Sequence, residues 1–462
     1  MNISDTIQYT QFGLPEDIRR CKEAGFYAEA IRLIDCRLAE PGLTDAMKGS
    51  LLIQKRICQL LPTEFPYTKA EAMNIILEKI PDFTESELNT YLDERRIRWI
   101  FVEGQMRIFN RFFSSLCKTA SGFAQRAGVK MPGVESAVSG STEDSRLDIA
   151  MQTMMEKGFM SNRIRIRATV KLKDEFFTPG TFLRAHLPIP AECPQQSNIQ
   201  IEKVFPENGM IAPMDAPQRT VCWEGNWDSN PEFMVEYSYV HTETYTDAYK
   251  GTGIPGSYDF DLQEQPPHIV FTPYLKALCE ELTEGITNPL HKARAFYDFI
   301  TLNMRYTFMP SYVVLENMAE ECARNYTGDC GIFALLFLTM CRCAGIPAQW
   351  QSGLAAEPDF IGGHDWVRIY VEPYGWLCVD PSYGTAAVRA GNEERRKFYF
   401  GNIDPYRFVA NSAFQVQFSV PKEQWRADPY DNQLGEIETD TRGFGFDNYL
   451  RTKEILLCEE II

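Results

Sequence analysis

Histidine is scarce in this chain: five among 462 residues, His186, His241, His268, His291 and His364. Any chemistry that needs an imidazole therefore draws on a short list. Positive charge is scarce too. Lys and Arg number 46 against 63 Asp and Glu, for a formal net charge of −17 and a pI near 4.9. That balance argues against nucleic acid or an anionic membrane as the partner. No run of about 18 apolar residues occurs, so no membrane-spanning helix is expected. The start, MNISDTIQYT, lacks a basic region followed by an apolar one, so it does not read as a signal peptide. Cysteine is plentiful, at 13, but scattered, and an odd number leaves at least one thiol free. A soluble, reduced, cytoplasmic protein is the expectation.

Hydrophobic residues make up 44% of the chain, aromatics 13% and charged residues 24%, a globular composition. At about 150 residues per domain the length allows roughly three domains. Residues 1–160 read as a helical domain. Tyr27, Ile31, Ile34 and Leu38 recur at helical spacing between Gly25 and Pro41. Thr68 with Glu71, and Thr84 with Glu87, form capping boxes in which each pair satisfies first-turn amides. No 34-residue repeat consensus is present, so a plain helical domain is expected, and it is a candidate surface for a protein partner. The Gly, Ser and Val-rich stretch from Lys130 to Thr142 reads as a linker.

The periodicity then changes. Ile164, Ile166, Ala168, Val170 and Leu172 alternate with Arg163, Arg165, Arg167, Thr169, Lys171 and Lys173, the pattern of a half-buried strand. Further short strands separated by Pro, Asn and Gly predict an antiparallel β domain, sandwich-like, over 161–250. Helical signals return at Thr272-Pro273 and Asn288-Pro289, each a side-chain cap followed by Pro at the first helical position. A third helix from Cys330 to Ala344 is apolar almost all round and is expected to be the buried centre of its domain.

Cys330 follows Asp329 at the start of that helix. A helix N-terminus favours a thiolate, and its free amides suit an acyl oxyanion. His364, in GGHDW, leads into a strand; a turn at Glu372-Pro373-Tyr374-Gly375 follows, and a second strand ends at Asp380-Pro381. A hairpin of this kind brings His364 and Asp380 to the same end of two neighbouring strands. A three-residue loop puts them on one face but offset, and a bulge or wider loop brings them closer. Asp380 would then orient the imidazole, and His364 would deprotonate Cys330.

The strings GDCGIFALLFLTMCRCAGIPA and GGHDWVRIYVEPYGWLCVDPSYG resemble the core of the transglutaminase-like superfamily of papain-related cysteine enzymes, over about 265–410. The resemblance implies an α+β fold in which a Cys-bearing helix packs on an antiparallel sheet carrying His and Asp. It assigns the catalytic positions to Cys330, His364 and Asp380, with Tyr306 a candidate oxyanion donor. The expected layout is an N-terminal helical domain, a β-sandwich-like middle, this core, and a C-terminal extension over 411–462. The implied activity is cysteine-dependent acyl transfer on amide bonds of a peptide or protein, with hydrolysis favoured, amine incorporation or a non-catalytic scaffold as alternatives, and no cofactor or metal. Asp365 stands where relatives often carry a small apolar residue; it either raises the imidazole pKa or faces solvent. Gly251–Gly256 matches G-x-G-x-x-G, but Pro255 inside it argues against a dinucleotide site. Cys341 and Cys343 point to different helix faces, against a zinc site.

Overall fold

Side-chain caps set the starts of several N-terminal helices. The computed structural model describes residues 3–120, 122–129 and 145–461, so the expected linker at 130–142 lies outside the described residues. Helices α1 (Glu16–Glu23), α2 (Tyr27–Leu38), α3 (Asp45–Glu64), α4 (Lys69–Leu77) and α5 (Glu85–Asp93) come first. Both capping boxes are formed: Thr68 and Thr84 accept from the amides of Glu71 and Glu87, whose carboxylates return to the cap amides. A hairpin of β1 (Trp99–Val102) and β2 (Gln105–Ile108) follows, then α6 (Phe112–Thr119), α7 (Phe123–Arg126) and α8 (Arg146–Lys157). Among the described residues no helix is long and apolar enough to cross a membrane.

Strands β3 (Phe159–Leu172), β4 (Thr181–Pro188), β5 (Gln196–Phe205), β6 (Met210–Ile211), β7 (Thr220–Trp227) and β8 (Phe233–Thr244) come next. The alternation along β3 decides its faces. Ile164, Ile166, Ala168, Val170 and Leu172 are buried. Of the arginines between them, Arg165 and Arg167 pair with Glu236 on β8. The basic stripe is thus neutralised by neighbouring strands.

The core begins with α9 (Pro273–Leu282) and α10 (Pro289–Asn303), each capped as the Thr-Pro and Asn-Pro signals require. Then come β9 (Arg305–Tyr306), α11 (Met318–Asn325), β10 (Thr327–Gly328) and α12 (Cys330–Cys343). Strands β11 (Ala348–Glu357), β12 (Phe360–Val371) and β13 (Gly375–Val379) precede α13 (Pro381–Arg389) and α14 (Glu393–Phe398), and β14 (Phe400–Gly401) and β15 (Arg407–Asn411) close the core sheet. Its order is β14-β13-β12-β11-β15, with every neighbouring pair antiparallel. Helix α12 is buried from Gly331 to Cys341, packed by β11 and β12 and by α9, α10, α11 and α13. That surround explains why it is apolar all round. Leu354, Ala356, Phe408 and Ala410 of the core sheet join one hydrophobic cluster with Tyr237 and Tyr239 of the sandwich.

The C-terminal segment, set apart in the sequence as an extension, supplies strands to the sandwich. Strand β16 (Glu436–Glu438) pairs with β4, and β17 (Tyr449–Ile461) pairs antiparallel with β3 along almost its whole length. The two sheets run β16-β4-β7-β6 and β17-β3-β8-β5. Half-polar edge strands such as β17, with burial alternating along it, carry a weaker periodicity than the buried strands they complete. Because β17 covers an edge of β3 that would otherwise present unpaired backbone groups, a chain ending before Tyr449 is expected to unfold at lower urea than the full chain. An unchanged midpoint would show that the strand adds nothing to stability.

Candidate active site

The first turn of α12 and the hairpin β12–β13 build the site. Asp329 caps α12: its carboxylate accepts from the Ile332 amide at 3.2 Å and from the Tyr312 hydroxyl at 2.6 Å. Cys330 is the first residue of the helix. The Asp365 carboxyl and the Tyr306 hydroxyl are its polar neighbours. Tyr306 reaches it because β9 and β10 pair in parallel, with Gly328 opposite Tyr306.

In the hairpin, Val367 pairs with Val379, so Asp380 lies opposite Trp366 and His364 sits two residues further along the same face. The three-residue loop 372–374 produces this offset, and the diagonal is short enough for long side chains to span. His364 Nε2 meets Asp380 Oδ2 at 2.7 Å. Asp380 in turn caps α13, its other oxygen accepting from the Ser382 amide and hydroxyl and the Tyr383 amide. Arg407 on β15, fully buried, lies 3.1 Å from Asp380 Oδ2 and 2.5 Å from Asp404. Burial acts to raise the Asp380 pKa, but His364, Arg407 and the amide bond outweigh it and hold the carboxyl at about 2. Asp380 is therefore an anion at every ordinary pH.

Opposite His364 on β11 stands Gly353. A Cβ there would lie 1.9 Å from the Phe408 carbonyl, so only glycine lets β15 approach and bring Arg407 to the site.

Asp365 departs from both sequence expectations. Successive residues leave a strand in opposite directions, so Asp365 turns away from the His364–Asp380 side. Its Oδ2 is 3.1 Å from where a Cβ on Gly331 would be, against the first turn of α12, and the residue is 4% exposed. It neither faces solvent nor pairs with the imidazole. Burial, then the Asp431 charge, push its pKa well above the carboxylate range. The Cys330 thiol is pushed well up as well, by burial first and then by the Asp365 and Asp329 charges, against the Tyr306 hydroxyl and the Lys118 ammonium. Burial thus overrides the helix N-terminus, and the resting thiol is neutral. Of the residues singled out in the sequence, the structure joins His364 to Asp380 and Tyr306 to Cys330. Among the described residues no hydrogen bond joins Cys330 to His364.

Other contributors left little trace in the sequence. Arg407 is a lone cation in a buried strand, which was a usable signal. Gln433, from the C-terminal segment, donates to Asp365 Oδ1, to Asp431 Oδ2 at 3.2 Å and to the His364 carbonyl at 3.4 Å. Lys118 of α6 places its ammonium 4.8 Å from the Tyr306 ring and 4.3 Å from that of Phe308. Burial lowers its pKa to about 8, with Cys330 acting the other way.

The site thus sets a cysteine at the start of a buried helix and a histidine–aspartate pair on the sheet beside it, within an α+β fold. More particularly, residues 276–381 match the transglutaminase-like superfamily, a span containing Cys330, His364 and Asp380, so the chain carries a transglutaminase-like core. A stretch of 129 residues is 24% identical to the uncharacterised protein YebA of Bacillus subtilis (strain 168), covering 24% of this chain and 17% of YebA. Among solved structures, a candidate cysteine protease from Cytophaga hutchinsonii is 16% identical, with a TM-score of 0.43 over 66% of this chain and 91% of that one. The periplasmic domain of TgpA from Pseudomonas aeruginosa is 14% identical, with a TM-score of 0.26 over 56% of this chain and 100% of that domain.

A pH dependence follows from the buried carboxyls behind Asp365. Burial, then the Asp431 charge, raise Asp428 to about 8. A carboxyl raised in the folded state stabilises most below its unfolded pKa, and that contribution is lost as pH climbs through the folded value. The urea midpoint is therefore expected to fall between about pH 4 and about pH 8, and Asp428→Asn to reduce that slope. An identical slope in the variant would exclude Asp428 as a source.

Proposed function

We propose that this protein is a cysteine-dependent acyl-transfer enzyme acting on amide bonds of peptides or proteins, with water as the acceptor. The observation that carries this reading is the His364–Asp380 bond at 2.7 Å, inside a transglutaminase-like span whose Cys330 begins the central helix. In the proposed reaction the sulfur of Cys330 attacks the amide carbonyl carbon while its proton passes to the imidazole. His364 Nε2 is committed to Asp380, so Nδ1 takes that proton. The imidazolium, stabilised by the Asp380 anion, returns it to the leaving amine, and a thioester remains. Water, deprotonated by His364, then releases the acid and restores the thiol. The Tyr306 hydroxyl, already on the sulfur, and the first-turn amides of α12 are the oxyanion donors.

Because burial and Asp365 hold the thiol neutral, the proton leaves with the attack and not before it. The contact between sulfur and imidazole then forms on substrate binding, as catalytic hydrogen bonds often do. We place the reaction in a reducing, cytoplasmic setting, since all thirteen cysteines are free.

A second reading is a non-catalytic protein that keeps the fold, favoured by one observation: among the described residues no hydrogen bond joins the sulfur to the imidazole, which is held by Asp380. Peptide hydrolysis followed by mass spectrometry separates the two. Cys330→Ala is expected to lower it by about a thousandfold or more. Asp365→Asn removes a carboxyl whose ionisation opposes the thiolate, so iodoacetamide is expected to alkylate Cys330 about tenfold faster at about pH 9, where that carboxyl would ionise. No turnover in the wild type, with Cys330 no more reactive than exposed Cys36 in either protein, would establish the scaffold. Cys330-dependent incorporation of a labelled primary amine into a glutamine-containing protein would replace hydrolysis by transglutamination.

A further inference from the structure

In a chain of net charge −17, four arginines converge where the helical domain meets the core. Arg95, Arg96 and Arg98 come from the turn after α5, and Arg305 opens β9. With the side chains of Ser115 and Thr119 they line a space of about 10 Å³, room for one oxygen-sized group. Two carboxylates balance part of the charge: Glu94 lies 2.5 Å from Arg96 and Glu321 2.6 Å from Arg98. Among the described residues, Arg95 and Arg305 have no carboxylate partner. Three buried polar atoms of the cluster also lack hydrogen bonds: Arg98 Nε, Arg305 Nε and the hydroxyl of Ser115, which is 3% exposed. Burial, then the charges of Arg96 and Arg95, lower the Arg305 pKa, outweighing the Glu94 charge that acts the other way.

Arg95, Arg98 and Thr327 also line a second, wider cavity of about 360 Å³. Its remaining wall includes Leu61, Phe65, Ile97, Trp99, Val314 and Leu315. A volume of this order is that of a small-molecule pocket. Arg95 is held at φ 58°, just past the end of α5, where glycine is the usual residue because a side chain is strained there. An arginine in that place keeps a guanidinium at the junction of the two spaces.

We propose that these joined cavities bind a small organic oxyanion, a carboxylate or phosphate monoester with an apolar body. The head meets the arginines and the Ser115 hydroxyl; the body fills the wider cavity. The site adjoins the β9–β10 pair that carries Tyr306, but Cys330 does not line it, so a Cys330→Ser protein is expected to bind equally well.

Calorimetric titration of the full chain at constant ionic strength tests this, with phenylphosphate, benzoate, inorganic phosphate and phenol as probes. Phenylphosphate or benzoate is expected to bind at least about tenfold more tightly than phosphate or phenol, and whichever is tighter identifies the head group. Arg95→Gly and Arg305→Gln are each expected to weaken that binding about tenfold. Unliganded Arg95→Gly is expected to melt no lower than the wild type, since it relieves the strained backbone, so lost binding is not lost folding. Equal affinity in wild type and both variants, or binding of neither aromatic anion at about 10 mM, well above an affinity useful for a specific site, would overturn the proposal.

Discussion

A fully buried carboxylate that stays ionised is the constraint on which the core depends. Moving such a group out of water costs several kcal/mol unless partners replace the lost hydration. Around Asp380 they come from four residues on three elements: the His364 ring on β12, the Ser382 and Tyr383 groups of α13, and the Arg407 guanidinium from β15. Each imposes a structural demand. Helix α13 must start directly after β13, which Pro381 at its first position allows. Strand β15 must lie against β11, which the absence of a side chain at Gly353 allows. The sheet order β14-β13-β12-β11-β15 is therefore a condition for keeping this charge inside.

The opposite situation holds on the other side of β12. There Asp365, Asp431 and Asp428 form a set of neighbouring carboxyls; burial raises the pKa of all three, and the Arg426 charge that acts on Asp428 and Asp431 does not offset it. Gln433 bridges Asp365 and Asp431. The two adjacent residues His364 and Asp365 thus stand in contrasting fields: one against a fixed anion, the other within a set of carboxyls that favours protons. The nucleophile position lies against the second set, and burial first, then the Asp365 and Asp329 charges, raise its thiol.

The site is assembled from more of the chain than its core. Lys118 from the helical domain lies over Tyr306, and Asp431 and Gln433 from the C-terminal segment reach Asp365. The same segment returns to pair with β3 and β4, so its strands complete the sandwich while the loop before them borders the site. None of these links spans fewer than about sixty residues of sequence, and no local pattern announces them.

What could be read in the chain alone were features whose cause is local. Capping boxes, Pro at helix starts and the alternation along β3 each depend on neighbours within a few residues. The apolar surround of α12 was legible for the same reason, as were the Cys330, His364 and Asp380 blocks and the hairpin that offsets the last two. Tertiary structure alone decided that Asp365 faces the thiol, that Arg407 neutralises Asp380, and that the last strands belong to the sandwich. These outcomes turn on which face of a strand meets which distant element, and on burial shifting proton affinities by more than a helix terminus can. Both depend on contacts across the fold, not on spacing along the chain.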